Sequence, residues 1–460
     1  MGTIQEYLSQ NRRRFLEELK TLVRFPSVST QPEHRRDLLA CATWLTRHIR
    51  TLGLDVELCP TNGNPIVVAR TPRPRAGAPR ILIYGHYDVQ PAEPLELWKT
   101  PPFQPVVRNG QLFGRGASDN KGQFFAHVKA VEACVKTGAA LPANVTFLIE
   151  GEEEVGSAHL ETFVRRHARQ LRADYIVVSD TGMFSKNLPT LTYATRGIVG
   201  MEVRVDGPSR DLHSGVFGGS VANPALVLSR LLASSVDANG HVTVPGFYAG
   251  VKPLAAWERR MWRRLPFDAR AYRDFLGVPA LAGEKGYTPL EQRWARPTFE
   301  INGLTSGYQG PGGKTIVPAW ASAKISCRLV PNQDPAKTMR LVSRHLRKMC
   351  PRSVRLRIVG DHSAPFFEPP TGRGARAATV ALERAFGRKP VFVREGGSLP
   401  ILDTFKRHVG GEIILVGLGL PDDNWHSPNE KMDLDNFQRG MVMSAALLHE
   451  LARNREPRVG

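Results

Sequence analysis

The sequence predicts a two-domain α/β protein: a mainly parallel-sheet domain with a smaller ferredoxin-like α+β domain inserted into it. Three observations carry that prediction. At 460 residues the chain exceeds what one hydrophobic core ordinarily organises. Several short apolar, β-branched runs alternate with helix-period segments, the pattern of strands buried on both faces. Between residues 197 and 362 the order instead reads β-α-β-β-α-β.

Residues 4–24 place Ile4, Leu8, Phe15, Leu19, Leu22 and Val23 on one face of a helix that must stop before Pro26. A second helix covers 36–52 and is closed by Gly53. Residues 65–70 read as a strand, and the Pro, Arg and Gly of 71–80 as a loop. The run 80–84 is a buried strand entering Gly85-His86-Tyr87-Asp88, and the i, i+2 spacing puts His86 and Asp88 on the same side of an extended chain. That would suit a metal-binding imidazole and its orienting carboxylate, although a lone strand-end histidine is more often structural.

The turn 114–122 is glycine-rich and leads into a helix with Phe124, Phe125, Val128, Val131 and Val135 on its apolar face. Taken singly, Asp119 reads as an N-cap of that helix. The strand 145–149 ends on Glu150, Glu152, Glu153 and Glu154. Carboxylates this close raise one another's pKa unless a cation or solvent compensates them, and by itself the stretch reads equally well as a solvated acidic turn. A further strand, 174–178, runs into Asp180, and 412–416 leads through Gly417 to Asn424 and His426.

Strand ends of a parallel sheet share one edge, where α/β folds place their sites. His86, Asp119, Glu153, Glu154, Asp180 and His426 would there make a nitrogen and oxygen cluster suited to two divalent transition ions, with no thiolate. The insert supplies strands at 197–205, 298–304, 316–329 and 353–359 and helices at 223–235 and 335–349. Residues 237–296, rich in Trp, Arg and Pro, have no place in that pattern.

Composition narrows the class. A hydrophobic content of 42% and a charged content of 23% describe an ordinary globular protein. The start, with Arg12, Arg13, Arg14, Glu17 and Glu18, lacks an apolar core, so no signal peptide is expected. No run reaches the roughly 18 apolar residues of a membrane span. Five widely spaced cysteines without a Cys-x-x-Cys pair predict a reducing cytoplasm. A net charge of +19 raises nucleic-acid binding, but the arginines are scattered and no recognition motif accompanies them. An arginine-rich solvated surface is the expectation.

Read together, the motifs YGHYDVQP (84–91), GRGASDNKG (114–122), EGEEEVGS (150–157), VSD (178–180), DLHSG (211–215), REGGSLP (394–400) and HSPNE (426–430) resemble a known family. It is the zinc aminoacylase/carboxypeptidase G/desuccinylase metallopeptidases, in their carnosine dipeptidase and cytosolic nonspecific dipeptidase branch. The long insert 237–296 resembles that branch better than the shorter aminoacylase one.

The resemblance implies a catalytic domain of the phosphorylase/hydrolase type at 1–196 plus 363–460, and a lid and dimerisation domain at 197–362. It implies two divalent ions, zinc or manganese, bridged by Asp119. His86 and Asp180 would complete one ion's shell, and Glu154 and His426 the other's. Glu153 would be the general base, with Asp88 behind His86 and a cis peptide after Asp119. His213 would reach the site from a partner subunit to stabilise the oxyanion. Arg328 would grip the dipeptide carboxylate, Ser398 with Gly396 and Gly397 would form the matching loop, Glu395 would hold the amino end, and Thr315 would be a substrate-binding contact between subunits.

Glu150 and Glu152 receive no catalytic role. Glu152 departs from the uncharged residue common in that position and is expected to bear on the pKa of Glu153. The activity implied is hydrolysis of dipeptides by a cytoplasmic homodimer, with no membrane or nucleic-acid partner. An amidohydrolase of N-acyl or otherwise modified amino acids is the alternative. A non-catalytic binder is disfavoured by the complete set of expected ligands and base.

Overall fold

In the computed structural model residues 1–138 and 141–453 are described. They form two compact units: Met1–Tyr193 with Glu368–Val393 and the segment from Ile401 on, and Ala194–Phe367 with Arg394–Pro400.

The first unit is built on one sheet in the order Asp55–Cys59, Ile66–Arg70, Asn144–Glu150, Arg80–His86, Tyr175–Val178, Glu412–Leu415 and Thr190–Thr195. Its four central strands are parallel. The flanking pairs are antiparallel, so the sheet as a whole is mixed rather than mainly parallel. The parallel centre is what matters for the site, because it brings four carboxyl ends to one edge; His86 and Glu150 are register partners there.

The apolar residues of these strands pack against the helices Lys121–Lys136, Arg373–Phe386 and Leu434–Arg453 in a single core. Gly85 lets the first of these helices come close: a Cβ there would lie 2.4 Å from Phe124 Cβ.

Two expectations change in detail. The segment 4–24 is two helices, Gly2–Gln10 and Arg12–Val23. Asn11 separates them, its amide donating to the Tyr7 carbonyl at 2.9 Å in competition with the helical ladder. The strand expected over 316–329 is broken into Ile316–Val317 and Trp320–Leu329. Pro318 has no N–H to give the ladder, and the Ala319 amide turns instead to Asp211 Oδ1 at 3.0 Å.

The second unit has an antiparallel sheet in the order Thr298–Ser306, Trp320–Leu329, Gly197–Asp206, Arg355–Ser363. In chain order that is 2-3-1-4, the ferredoxin-like arrangement. Helices Pro224–Ala233 and Pro335–Met349 contribute Val227, Leu228, Leu231, Val342 and Leu346 to its core. The segment left unplaced by sequence carries the short helices Ala256–Trp262, Ala269–Leu276 and Pro289–Ala295, with Trp262 and Trp294 edge-on.

Burial of His127 in the helix Lys121–Lys136 has a thermodynamic consequence. Its ring lies 2.7 Å from both Ser444 Oγ and Ser179 Oγ, and burial lowers its pKa to about 4. The unfolded histidine, near 6.5, binds a proton that the folded one refuses, so stability is complete above that pH and falls as pH drops from 6.5 towards 4. The full span amounts to about 3 kcal/mol. Urea unfolding at pH 5 and 7 checks this: His127→Gln should show a shallower loss than the parent, and equal slopes would refute it.

Candidate metal centre and substrate loop

Each expected ligand is delivered by a different local device. His86 ends the strand Arg80–His86 and is fully buried. Its Nδ1 lies 3.0 Å from the carbonyl of Asp88, which places the proton on Nδ1 and turns the Nε2 lone pair inward. Nε2 lies 3.2 Å from Asp119 Oδ1 and 3.7 Å from Asp180 Oδ1. On the other side of Asp119, Oδ2 lies 3.0 Å from His426 Nε2, which is itself 3.5 Å from Glu154 Oε2.

Asp88 organises the glutamate turn as well as the histidine. Its carboxylate accepts the amides of Glu153 at 3.3 Å and Glu154 at 3.1 Å, and the Ser29 hydroxyl at 2.7 Å. Asn120, which follows Asp119 across a cis peptide, donates to Asp180 Oδ1 at 2.9 Å and to the Ser179 carbonyl at 2.6 Å. Asn120, not Asp119, occupies the N-cap position of the helix Lys121–Lys136, which leaves the Asp119 carboxylate to the site.

The residue that shapes the 114–122 turn is Glu430, which sequence reasoning quoted within a motif but gave no role. It is fully buried, and one carboxylate accepts the amides of Gly116, Ser118 and Asp119 at 2.9–3.0 Å together with Arg115 Nη1 at 2.8 Å. Four donors on one carboxylate wrap the turn around it and aim Asp119. The signal available in sequence was a buried-type glycine turn with more donors than acceptors. Gln90, which donates to Glu154 Oε2 at 2.7 Å, was missed in the same way.

The electrostatics of the cluster suit a cation. Burial first, with Asp119 next, raises the Glu154 carboxyl to about 10, and burial also raises Glu153 well above the usual range despite the pull of His86. The contacts with Asp119, Asp180 and Asp88 outweigh the effect of burial on His86 and raise its pKa. His86 Nε2 and Glu154 Oε1 are buried without a hydrogen-bond partner.

Ligand atoms of His86, Asp119 and Asp180 lie within 4.8 Å of one another, as do those of Asp119, Glu154 and His426, and of His86, Glu153 and Glu154. Two such buried lone-pair atoms, beside a carboxylate that both histidines face, fit a pair of divalent ions. A fourth group, Glu18, His48 and Glu132, already holds a cation: Lys129 Nζ sits 2.6–2.7 Å from all three.

Glu150 and Glu152 stand apart from this centre. Glu150 accepts from Tyr84 Oη at 2.6 Å and Ser157 Oγ at 2.8 Å. Glu152 faces His159 Nδ1 at 2.9 Å and the Asn64 amide at 3.0 Å. The carboxylates that most raise Glu153 are Asp180, Asp119 and Asp88, while Glu152 is engaged by His159.

The remaining expected residues lie in the second unit. Arg328 Nη1 donates to Ser398 Oγ at 2.8 Å. Glu395 Oε1 accepts the amides of Gly396 at 2.6 Å and Gly397 at 3.3 Å. Arg394 meets Glu258, so the segment that sequence could not place anchors the root of this loop. His213 is exposed on the short strand Leu212–His213, which pairs with Ile316–Val317 beside Thr315. Its Nδ1 accepts the Gly215 amide at 3.0 Å, which leaves Nε2 as the donor.

The model of peptidase family M20/M25/M40 matches residues 82–450. The chain belongs to that family. Among M20-type relatives it is similar to the Cys-Gly metallodipeptidase dug1 of Schizosaccharomyces pombe, 33% identical over 98% of both chains. It is also similar to the Beta-Ala-His dipeptidase of Homo sapiens, 33% identical over 97% of this chain and 92% of the relative. A solved structure of the dipeptidase Dug1p from Saccharomyces cerevisiae superimposes with a TM-score of 0.88 at 30% identity, covering 99% of each chain. The mixed α/β architecture with an inserted unit is thus that of the M20 dipeptidases.

Proposed function

We propose that this M20 enzyme hydrolyses the peptide bond of dipeptides bearing a free C-terminal carboxylate. The observation that carries this is the position of Asp119, whose two oxygens each face a histidine, so that the two ligand groups share one carboxylate. His86 and Asp180 would hold one ion, Glu154 and His426 the other, and Asp119 both. Two divalent ions held there supply a polarised water and an electrophile for the scissile carbonyl. Zinc or manganese suits this nitrogen and oxygen donor set.

Glu153 takes the proton from the attacking water and returns it to the leaving amine nitrogen. Burial supports that role, because a carboxyl with raised proton affinity holds the proton long enough to pass it on. Asp88 fixes the His86 ring and the backbone of the Glu153–Glu154 turn. His213, with Nε2 free to donate, stabilises the oxyanion from a partner subunit. Arg328 and Ser398 bind the substrate carboxylate, with Gly397 shaping their loop; Glu395 takes the amino end, and Thr315 adds a contact across the dimer.

We assign residues 1–196 plus 363–460 to catalysis and 197–362 to lid and dimerisation. Exposed Val216, Phe217, Val221 and Leu226, beside His213, support a homodimer through the latter. A cytoplasmic location accords with five free cysteines, four of them buried. No helix among the described residues is long and apolar enough to cross a membrane. Nothing observed favours N-acyl amino acids as substrates.

Protein stripped by chelator and reloaded with zinc or manganese should release amino acids from a dipeptide panel, and the stripped form should not. Equal turnover of N-acylated and free-amine substrates would overturn the dipeptide assignment.

A further inference from the structure

Arg196 has no part in the roles given above, yet it is tied to the loop that carries Ser398. It leads into the strand Gly197–Asp206 and is mostly buried. Its backbone amide donates to the Gly397 carbonyl at 3.0 Å, and its Nε donates to the Gly396 carbonyl at 2.8 Å. The loop backbone is seated against the guanidinium: a Cβ added to Gly396 would come within 3.3 Å of Arg196 Nη2 and 3.3 Å of the Arg293 carbonyl. Ser398, which follows Gly397, is the residue that meets Arg328, and strand register pairs Arg328 with Ile198, two residues from Arg196.

Among the described residues no carboxylate forms an ion pair with either guanidinium; Glu395 and Glu300 act on Arg196 from further away. Burial, and then the charge of Arg328, lower the Arg196 pKa to about 10. Two neighbouring, partly buried cations that Glu395 and Glu300 compensate only in part are a standing cost to the fold. That cost is offset when an anion arrives.

We propose that Arg196 is a positioning residue for the substrate carboxylate: it holds the Gly396–Gly397 backbone so that Ser398 and Arg328 face the same anion. The proposal rests on the dipeptide reading. It predicts that Arg196 acts on substrate affinity and acts through Ser398, which a general structural role would not require.

The test is steady-state kinetics on the dipeptide that the metal-loaded parent cleaves best. Arg196→Gln should raise KM about tenfold with kcat within about twofold, the signature of lost uniform binding. Arg196→Lys keeps the charge without the fork, and its KM should rise by less, about threefold. In a Ser398→Ala background the Arg196→Gln effect should shrink below about twofold, because both changes remove one arrangement.

Unchanged KM, a fall in kcat at constant KM, or additive effects in that cycle would overturn the proposal while leaving the dipeptide reading intact. A parent that cleaves no dipeptide would overturn both. Should Arg196→Gln fail to fold, Arg196→Lys decides: it keeps the charge without the fork, so KM must still rise about threefold, and an unchanged KM refutes the role.

Discussion

Replacing Glu153 by Gln is expected to lower kcat by about 10³-fold while the protein keeps two metal ions per chain. The amide has the size and shape of the carboxyl but cannot accept the proton that water must lose. Neither of the ligand groups joined at Asp119 requires Glu153, so metal content should be unchanged. Elemental analysis alongside kcat separates the two effects. A variant that retains a tenth of the parental rate would remove Glu153 from the chemistry. One that loses its metals would make it a ligand, which its place beside His86 and Glu154 would then explain.

Asp119→Ala should have the opposite signature, loss of both metals and of all activity. Oδ1 faces His86 and Oδ2 faces His426, so a single substitution takes a ligand from each shell. Loss of an outer partner of a metal ligand already costs 10–100-fold in affinity, so loss of a bridging ligand should exceed about 100-fold. Titrating zinc into stripped protein and following heat or a competing chelator measures this without reference to turnover. Asp119→Asn, which keeps the shape and one oxygen, should fall between the parent and the alanine variant. Two intact sites of parental affinity in Asp119→Ala would show that the carboxylate is not shared, and the dinuclear assignment would fail.

The residues gathered at the candidate centre were legible before any fold was known because each sits in a short motif with local logic. His86 and Asp88 share an i, i+2 spacing, Glu153 and Glu154 end a strand, and Asp180 ends the next. What could not be read was how they are aimed. The four donors gathered by Glu430 come from residues 115–119, more than 300 positions away in sequence. Likewise the Glu258–Arg394 and Arg196–Gly396 contacts join residues from separate stretches, so segment 237–296 showed no function in the sequence. The antiparallel flanks of the sheet were missed for a related reason: a strand buried on both faces has the same apolar pattern whichever way its neighbours run.

The sequence by itself determined which side chains have the chemistry to bind cations, and the order of most strands and helices, because those follow from residue chemistry and short-range periodicity. Only the tertiary structure decided that Asp119 stands between two histidines, that Glu152 turns away to His159, and that Lys129 fills the other acidic cluster. Those outcomes depend on long-range packing and on which buried charge finds a partner. No local pattern encodes that choice.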